Sequence, residues 1–436
     1  MKNIRTIFTF MLIFGFIASC DTEYLDPNST LEPDVVNSTE NLIRLINGVQ
    51  QRWSTDRAGI IYNYTHISGL NTKELRLLNP GNLAENEILL GGNDVNGGNG
   101  ILNNMWTNSM LARKEATTVI DAADVASGGD TSVANSLKAY GLFYRALVHG
   151  TLIQVFESIP LEIVDDAPFV SRMAVLEDAI EDLEEAKSYI DAGLSSTVTS
   201  DVLGSVDLAN SVNALLARFN LMAGNNTDAI TAANAVDLAA TSEWEFDAAI
   251  PNPLAFWFGS QNVTQARDIS FGLPAALEPD AEDDRVPFYV TAEDFTVPLP
   301  DYQVVGFFND NLDRIPVYLP GEISLIKAEA YARENDLVNA VIELNNVRTK
   351  TAVEDAFGLG ADLPAYSGSL TQDAILEEIY RNRRIELYLS GLALEDTRRF
   401  GRPGATDPNP ERNRNYYPYP NAERDNNTNT PTNPSS

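Results

Sequence analysis

LIKAEAYARENDLVNAVIELNNVR, residues 325–348, reads as two helices separated by a polar turn at Glu334-Asn335-Asp336. Small residues crowd the first helix, and Ala340, Val341, Leu344 and Val347 recur at helical spacing in the second. A second stretch has the same form. Residues 214–223 (ALLARFNLMA) run into a turn at Gly224-Asn225-Asn226, and a helix follows with Ala229, Ile230, Ala233 and Val236. A shift of 111 residues superposes Ala217 on Ala328, Ala229 on Ala340, Ile230 on Val341 and Val236 on Val347.

Small residues at matched places let two helices approach closely. This is the tetratricopeptide-type hairpin, a unit that must stack on neighbours to bury its apolar face. Working outward, helices are predicted at about 40–53, 101–126, 133–157 and 172–192. In the last, Leu176, Ala179, Ile180, Leu183, Ala186 and Ile190 form one stripe, with acidic residues between them as a solvated face. Residues 54–100 and 244–320 lack helical period and read as irregular; the first ends in a Gly/Asn-rich loop, 91–100, and the second is rich in Pro and aromatics. The tail is Pro/Asn-rich, and from about 425 it is expected to be mobile.

The chain has 436 residues and a net charge of −32, from 30 Lys+Arg against 62 Asp+Glu. Such a chain repels nucleic-acid phosphates and anionic headgroups, so neither partner is expected. One cysteine excludes an internal disulfide and multi-Cys metal centres, and two histidines disfavour a His-rich one. No metal or cofactor is expected. The acidic stretch Glu278–Asp284 lacks the spacing of a Ca²⁺ loop and reads as solvated.

At the N-terminus Lys2 and Arg5 precede an apolar run, Ile7 to Ile17, which has the length of a secretory signal and not of a membrane span. Ile17-Ala18-Ser19-Cys20 resembles a bacterial lipobox. Residues 1–19 are therefore expected to be removed, and Cys20 to carry the lipid that is the chain's sole membrane attachment. Residues 20–37 read as an extended tether, and 38–436 as a single domain.

Further motifs occur in order: the helix Ala139 to Ala146 running to Val155-Phe-Glu-Ser-Ile-Pro160; Ser171-Arg172 with Ile180 to Ala186; Ala214 to Gly224; Asp284-Arg285; Leu325 to Arg348; and Ile379 to Arg399 (IYRNRRIELYLSGLALEDTRR). Together with the start at Cys20, they resemble the SusD/RagB family of Bacteroidetes outer-membrane lipoproteins. Asn382, Ser390 and Leu392-Ala393 depart from the family's last motif, where charged residues are usual, and the mature chain is short for the family.

The resemblance implies a mainly α, SusD-like fold. Tetratricopeptide-type hairpins at about 101–240 and 321–400 would scaffold an irregular, loop-rich ligand face from 54–100 and 244–320. It implies a lipoprotein on the outer membrane, facing the exterior. There it would bind an oligosaccharide or peptide, deliver it to a SusC-like TonB-dependent transporter, and catalyse nothing. A secreted glycan hydrolase and a helical-repeat scaffold that binds only protein are the competing readings.

Trp257, flanked by Phe256 and Phe258, is the leading ligand candidate, because sugar rings stack their C–H faces on aromatics. Tyr62, Tyr64 and Tyr302 are read in irregular segments, and Asn93 and Asn96 in the Gly-rich loop, as further ligand contacts. Trp106 and His149 are read as packed residues, and Trp53 is open between core and ligand face. The charged cluster Arg383 to Arg399 is read as ion pairs locking the C-terminal helix to the core.

Overall fold

Ser38 accepts a hydrogen bond from the Asn41 N–H at 3.3 Å and so caps helix α1 (Thr39–Ser54). The computed structural model describes residues 36–260, 263–292 and 302–435. The signal peptide, Cys20 and nearly all of the tether lie outside the described residues. Among the described residues no helix is long and apolar enough to cross a membrane.

After α1 come α2 (Ile60–Asn71) and α3 (Leu83–Leu90), within a region expected to be irregular. The reason is burial. Every residue of α2 is buried, so the helix shows no apolar stripe for a periodicity reading to find. Its polar side chains find partners inside the protein. Asn63 Nδ2 donates to the Gly59 carbonyl at 2.7 Å, Ser68 Oγ accepts from Leu394 N–H at 3.0 Å, and Asn71 Nδ2 donates to Tyr417 Oη at 2.8 Å.

The scaffold continues with α4 (Gly100–Ala126), capped by Asn99, and α5 (Thr131–Val155), capped by Asp130. Then come α6 (Arg172–Ala192), α7 (Leu208–Ala223), α8 (Asn226–Ala233), α9 (Pro320–Arg333), α10 (Leu337–Arg348), α11 (Gln372–Glu386), α12 (Ala393–Arg399) and α13 (Asn421–Asn426). Helices α4 and α5, α7 and α8, and α9 and α10 pack as hairpins; α6 leans on both α5 and α7, and α8 on α9.

The 111-residue repeat is a repeat of backbone geometry. Gly224 and Asn335 occupy the same left-handed position, at φ 85° and 60°. The N–H that follows each one closes back onto the helix, Asn225 to the Asn220 carbonyl and Asp336 to the Tyr331 carbonyl, both at 2.9 Å. Ala217, Ala328, Ala229 and Ala340 are all fully buried, as close helix approach requires. Leu325, Ala328, Ala340, Leu344, Ile375 and Ile379 form a small second core between α9, α10 and α11.

Among the described residues, four two-stranded antiparallel ribbons connect the helices. β1 (Leu75–Leu77) pairs with β5 (Thr264–Ala266), β2 (Ser158–Pro160) with β3 (Phe169–Ser171), β4 (Glu243–Trp244) with β8 (Ile315–Pro316), and β6 (Val290–Ala292) with β7 (Tyr302–Val304).

The C-terminal tail corrects another expectation. Instead of a mobile end after 425, Asn427 Nδ2 donates to the Ala167 carbonyl at 3.0 Å, Thr428 Oγ1 to Asp166 at 2.8 Å, and Asn433 Oδ1 accepts from Tyr419 N–H at 3.2 Å. Short polar side chains read as disorder by composition. Here they satisfy loop carbonyls and carboxylates on the body.

The charged motif at 379–399 is structural. Arg383 makes paired bonds to Asp396 (2.9 and 3.0 Å), and Arg399 bonds Glu329 (2.7 and 2.9 Å) and Asp396 (2.7 Å). Asn382, where the family pattern carries an acid, still serves the network: its Oδ1 accepts from Arg285 at 2.9 Å.

Candidate functional site

Segment 252–260 sets Trp257 at the surface. Asn252 is buried and donates to the carbonyls of Phe307 (3.0 Å) and Asp313 (2.9 Å), while its Oδ1 caps the turn beginning at Pro253. That turn widens to a π-type turn over Phe256–Ser260. Phe258 points inward, edge-on to Phe308 at 6.2 Å, and anchors the turn. Trp257 is left half-buried.

Around the indole the structure gathers groups from distant parts of the chain. Trp257 Nε1 donates to Asp56 Oδ1 at 3.3 Å. The Arg57 guanidinium lies 4.9 Å from the centre of the Trp257 ring system. The Tyr62 ring meets Trp257 edge-on at 6.0 Å. Below this surface Glu85 is fully buried; its Oε1 accepts from Arg57 Nε at 3.0 Å and from Tyr62 Oη at 2.8 Å. Asn82 Oδ1 accepts from Arg57 at 3.4 Å. The result is a half-buried indole with the Arg57 guanidinium over one face, the Asp56 carboxylate at its N–H, and Asn82 held beside Arg57.

Electrostatics hold these groups in fixed states. Burial works against the Arg57 charge, but the bonds to Glu85 outweigh it and raise the guanidinium above its ordinary value. Burial, reinforced by Glu85, pushes the Tyr62 phenol well up, so it remains a donor. Below Tyr62, burial lowers His66 to about 4. The neutral His66 ring stacks on Tyr62 at 3.9 Å, with Nδ1 facing the Tyr62 carbonyl and Nε2 facing Thr264 Oγ1, each at 2.9 Å.

The sequence candidates thus separate. Trp257 and Tyr62 come together, though Tyr62 sits in helix α2 and not in an irregular segment, with its hydroxyl committed to Glu85. Tyr64 lies on α2 as well. Two residues along a helix turn the side chain by roughly 200°, so it faces away. Its hydroxyl donates to Gln154 at 2.7 Å, and its ring lines an interior cavity of about 80 Å³ with Trp53, Trp244, Tyr318 and the Arg218–Glu322 ion pair. Tyr302 stands in ribbon β6–β7, opposite Ala292. Asn93 and Asn96 are exposed in the Gly-rich loop, where Asn96 Oδ1 accepts from Gly98 N–H at 2.8 Å.

Trp106 is buried and donates to Glu423 at 3.1 Å; Trp53 is buried against Trp244 at 5.9 Å. Sequence reasoning missed Asp56, Arg57, Asn82 and Glu85. They lie in a turn and at a helix start whose chain positions carry no motif.

One grouping suggests chemistry and resolves into packing. His149, buried between helices, meets Asp178 at 2.8 Å, and Asp182 beside it is held by Arg145 at 2.6 and 2.7 Å. The guanidinium of Arg145 supplies the positive charge that these carboxylates require.

Residues 311–435 match the family model described as the SusD family. No curated protein sequence matches significantly. Solved structures share the fold across nearly the whole chain. A SusD homolog from Bacteroides thetaiotaomicron VPI-5482 is 15% identical, with a TM-score of 0.69 over 92% of this chain and 98% of its own. A SusD-like carbohydrate-binding protein from Bacteroides vulgatus ATCC 8482 is 19% identical, with a TM-score of 0.66 over 83% of each chain. Another from Bacteroides fragilis NCTC 9343 is 14% identical, with a TM-score of 0.67 over 91% of this chain and 100% of its own.

Proposed function

We propose that this chain, a member of the SusD/RagB family, is a non-catalytic glycan-binding lipoprotein of the outer-membrane surface that hands its ligand to a SusC-like TonB-dependent transporter. The observation that carries the binding role is the surface indole of Trp257, set among Asp56, Arg57 and Asn82 on a rigid base. A sugar ring offers an apolar face to such an indole, while its hydroxyls need both acceptors and donors at the rim. Asp56 supplies acceptors, Arg57 donors and Asn82 both. The relatives described as carbohydrate-binding support a glycan over a peptide. Cys20 supplies the anchor, and the tether of residues 20–37 gives the body reach above the membrane.

A glycan hydrolase needs two carboxyl groups flanking the scissile bond, and beside Asp56 the carboxylate of Glu85 is buried and committed to Arg57 and Tyr62. Calorimetry of the soluble body against a panel of oligosaccharides and peptides tests the proposal, with product analysis afterwards. Binding of an oligosaccharide without turnover is expected. Turnover would establish the hydrolase instead, and a panel with no ligand at all would leave the protein-only scaffold. Co-purification with a β-barrel transporter from detergent-solubilised membranes tests the delivery role.

A further inference from the structure

The groups around Trp257 carry an unequal charge. Arg57 brings one positive charge, but its hydrogen-bonding edge is already taken. Nε and Nη2 both donate to Glu85 Oε1, and Nη2 also donates to Asn82 Oδ1 at 3.4 Å. A guanidinium grips a carboxylate or sulfate through two parallel N–H groups. Here Nη1 is left over, enough to donate to a hydroxyl and too little for that fork. Releasing Arg57 to an anionic ligand would strand Glu85, which is fully buried and has the Tyr62 hydroxyl as its other donor.

Asp56 is the opposite case. It is exposed, and its Oδ1 accepts from Trp257 Nε1 at 3.3 Å. Arg57, its neighbour in the chain, pairs with Glu85 instead, and no Lys or Arg among the described residues forms an ion pair with Asp56. Arg57 and Glu85 cancel, so Asp56 leaves one net negative charge beside the indole N–H. The chain around it is negative too, at −32. An ionised carboxylate accepts hydrogen bonds and donates none. A sugar hydroxyl or ammonium can donate to it, whereas a uronate or sulfate ester brings acceptors and a like charge.

We infer that the Trp257 face selects uncharged and amino sugars against uronate and sulfated ones, and that Asp56 is the residue that sets this preference. The inference rests on the glycan-binding reading of this face and narrows its ligand class.

The test titrates the full chain by calorimetry with tetrasaccharides of β-1,4-linked glucose, α-1,4-linked glucose and β-1,4-linked galactose. Each is supplied as the plain sugar, its C6-oxidised uronate and its 2-amino form, at low and at physiological salt. On every backbone that binds, the uronate is expected to bind about 10-fold or more weakly than the plain sugar, and the amino form at least as tightly as the plain sugar. Asp56→Asn keeps an oxygen for the Trp257 N–H and suits the left-handed backbone of residue 56 (φ 56°), so its Tm stays level. It is expected to bring the uronate to within about 3-fold of the plain sugar. A uronate bound as tightly as the plain sugar overturns the inference and keeps the glycan reading. A penalty unchanged in Asp56→Asn and erased by physiological salt belongs to the chain's overall charge, and overturns the role of Asp56. Failure of every tetrasaccharide to bind rejects the glycan reading and the inference with it.

Discussion

Arg285 and Glu386, 101 positions apart in the chain, are both fully buried and joined at 3.0 Å, so the central loop region is tied to α11 by an ion pair with no access to water. Asp283 completes the guanidinium's partners at 2.7 and 2.9 Å. Glu386→Gln leaves the buried Arg285 charge to Asp283 and the Lys350 charge to Asp355, and is expected to lower unfolding free energy by about 1–3 kcal/mol, read from urea denaturation. Gly321→Ala should act in the same direction, because a Cβ there would lie 1.7 Å from Glu386 Oε1.

Trp257→Ala should weaken glycan binding at its patch by about 10-fold or more while changing stability little, since the indole is half-buried. Tyr62→Phe is the contrasting change. It removes the bond to Glu85, should cost about 1–3 kcal/mol of stability, and should leave ligand affinity within a few-fold. Calorimetry paired with thermal melts would check both, and a fall in stability without loss of binding in Trp257→Ala would remove that residue from the site.

Acid sensitivity has definite signs. His66 titrates near 4 in the folded protein because burial opposes its charge, against 6.5 for the free side chain. The unfolded chain takes up that proton first, so stability falls as pH drops from 6.5 to 4. Burial of Glu329 would raise its pKa, but Arg399, Arg383 and Arg333 override this and bring it to about 2, so its contribution is present above 4.5 and fades as pH falls toward 2. Glu74 works the other way: burial, partly offset by Arg384, holds it up at about 7, so stability is lost as pH rises from 4.5 to 7. The two effects oppose each other over the same range, so Glu74→Gln should leave Tm rising with pH from about 4 to 6.5, and His66→Gln should leave it falling from 4.5 to about 7.

Cys20→Ser should release the protein from membranes while leaving its glycan affinity unchanged. Fractionation of cells expressing the variant checks this; a variant still pelleting with the outer membrane would mean that something other than lipid holds it there.

The scaffold was legible because it is amphipathic. The stripes of α1 and α6 have one wet face each, and α9, though buried on nearly every side, is betrayed by the hairpin of small residues that repeats at α7–α8. Helix α2 was illegible for the opposite reason. Buried on every side, it satisfies Asn63, His66 and Asn71 through contacts with residues far away in the chain, and no local pattern reports that. Trp257 was legible as an aromatic in a Pro-bounded loop. Asp56, Arg57, Asn82 and Glu85 were not, since a side chain acquires a place in a site only when the fold carries it there. The tail misled because Asn, Thr and Pro have the same composition in a free end as in a strap.

That strap sets the order of events in biosynthesis. Asn71, on α2, waits for Asn413 and Tyr417; Trp106, on α4, waits for Tyr419 and Glu423; Ser158 also bonds Tyr419. Elements from the first third of the chain thus receive their final partners from residues made last. Until translation is complete, those side chains have no partners to close on, and for export of the kind proposed above, delayed closure keeps the chain in a state that can be threaded.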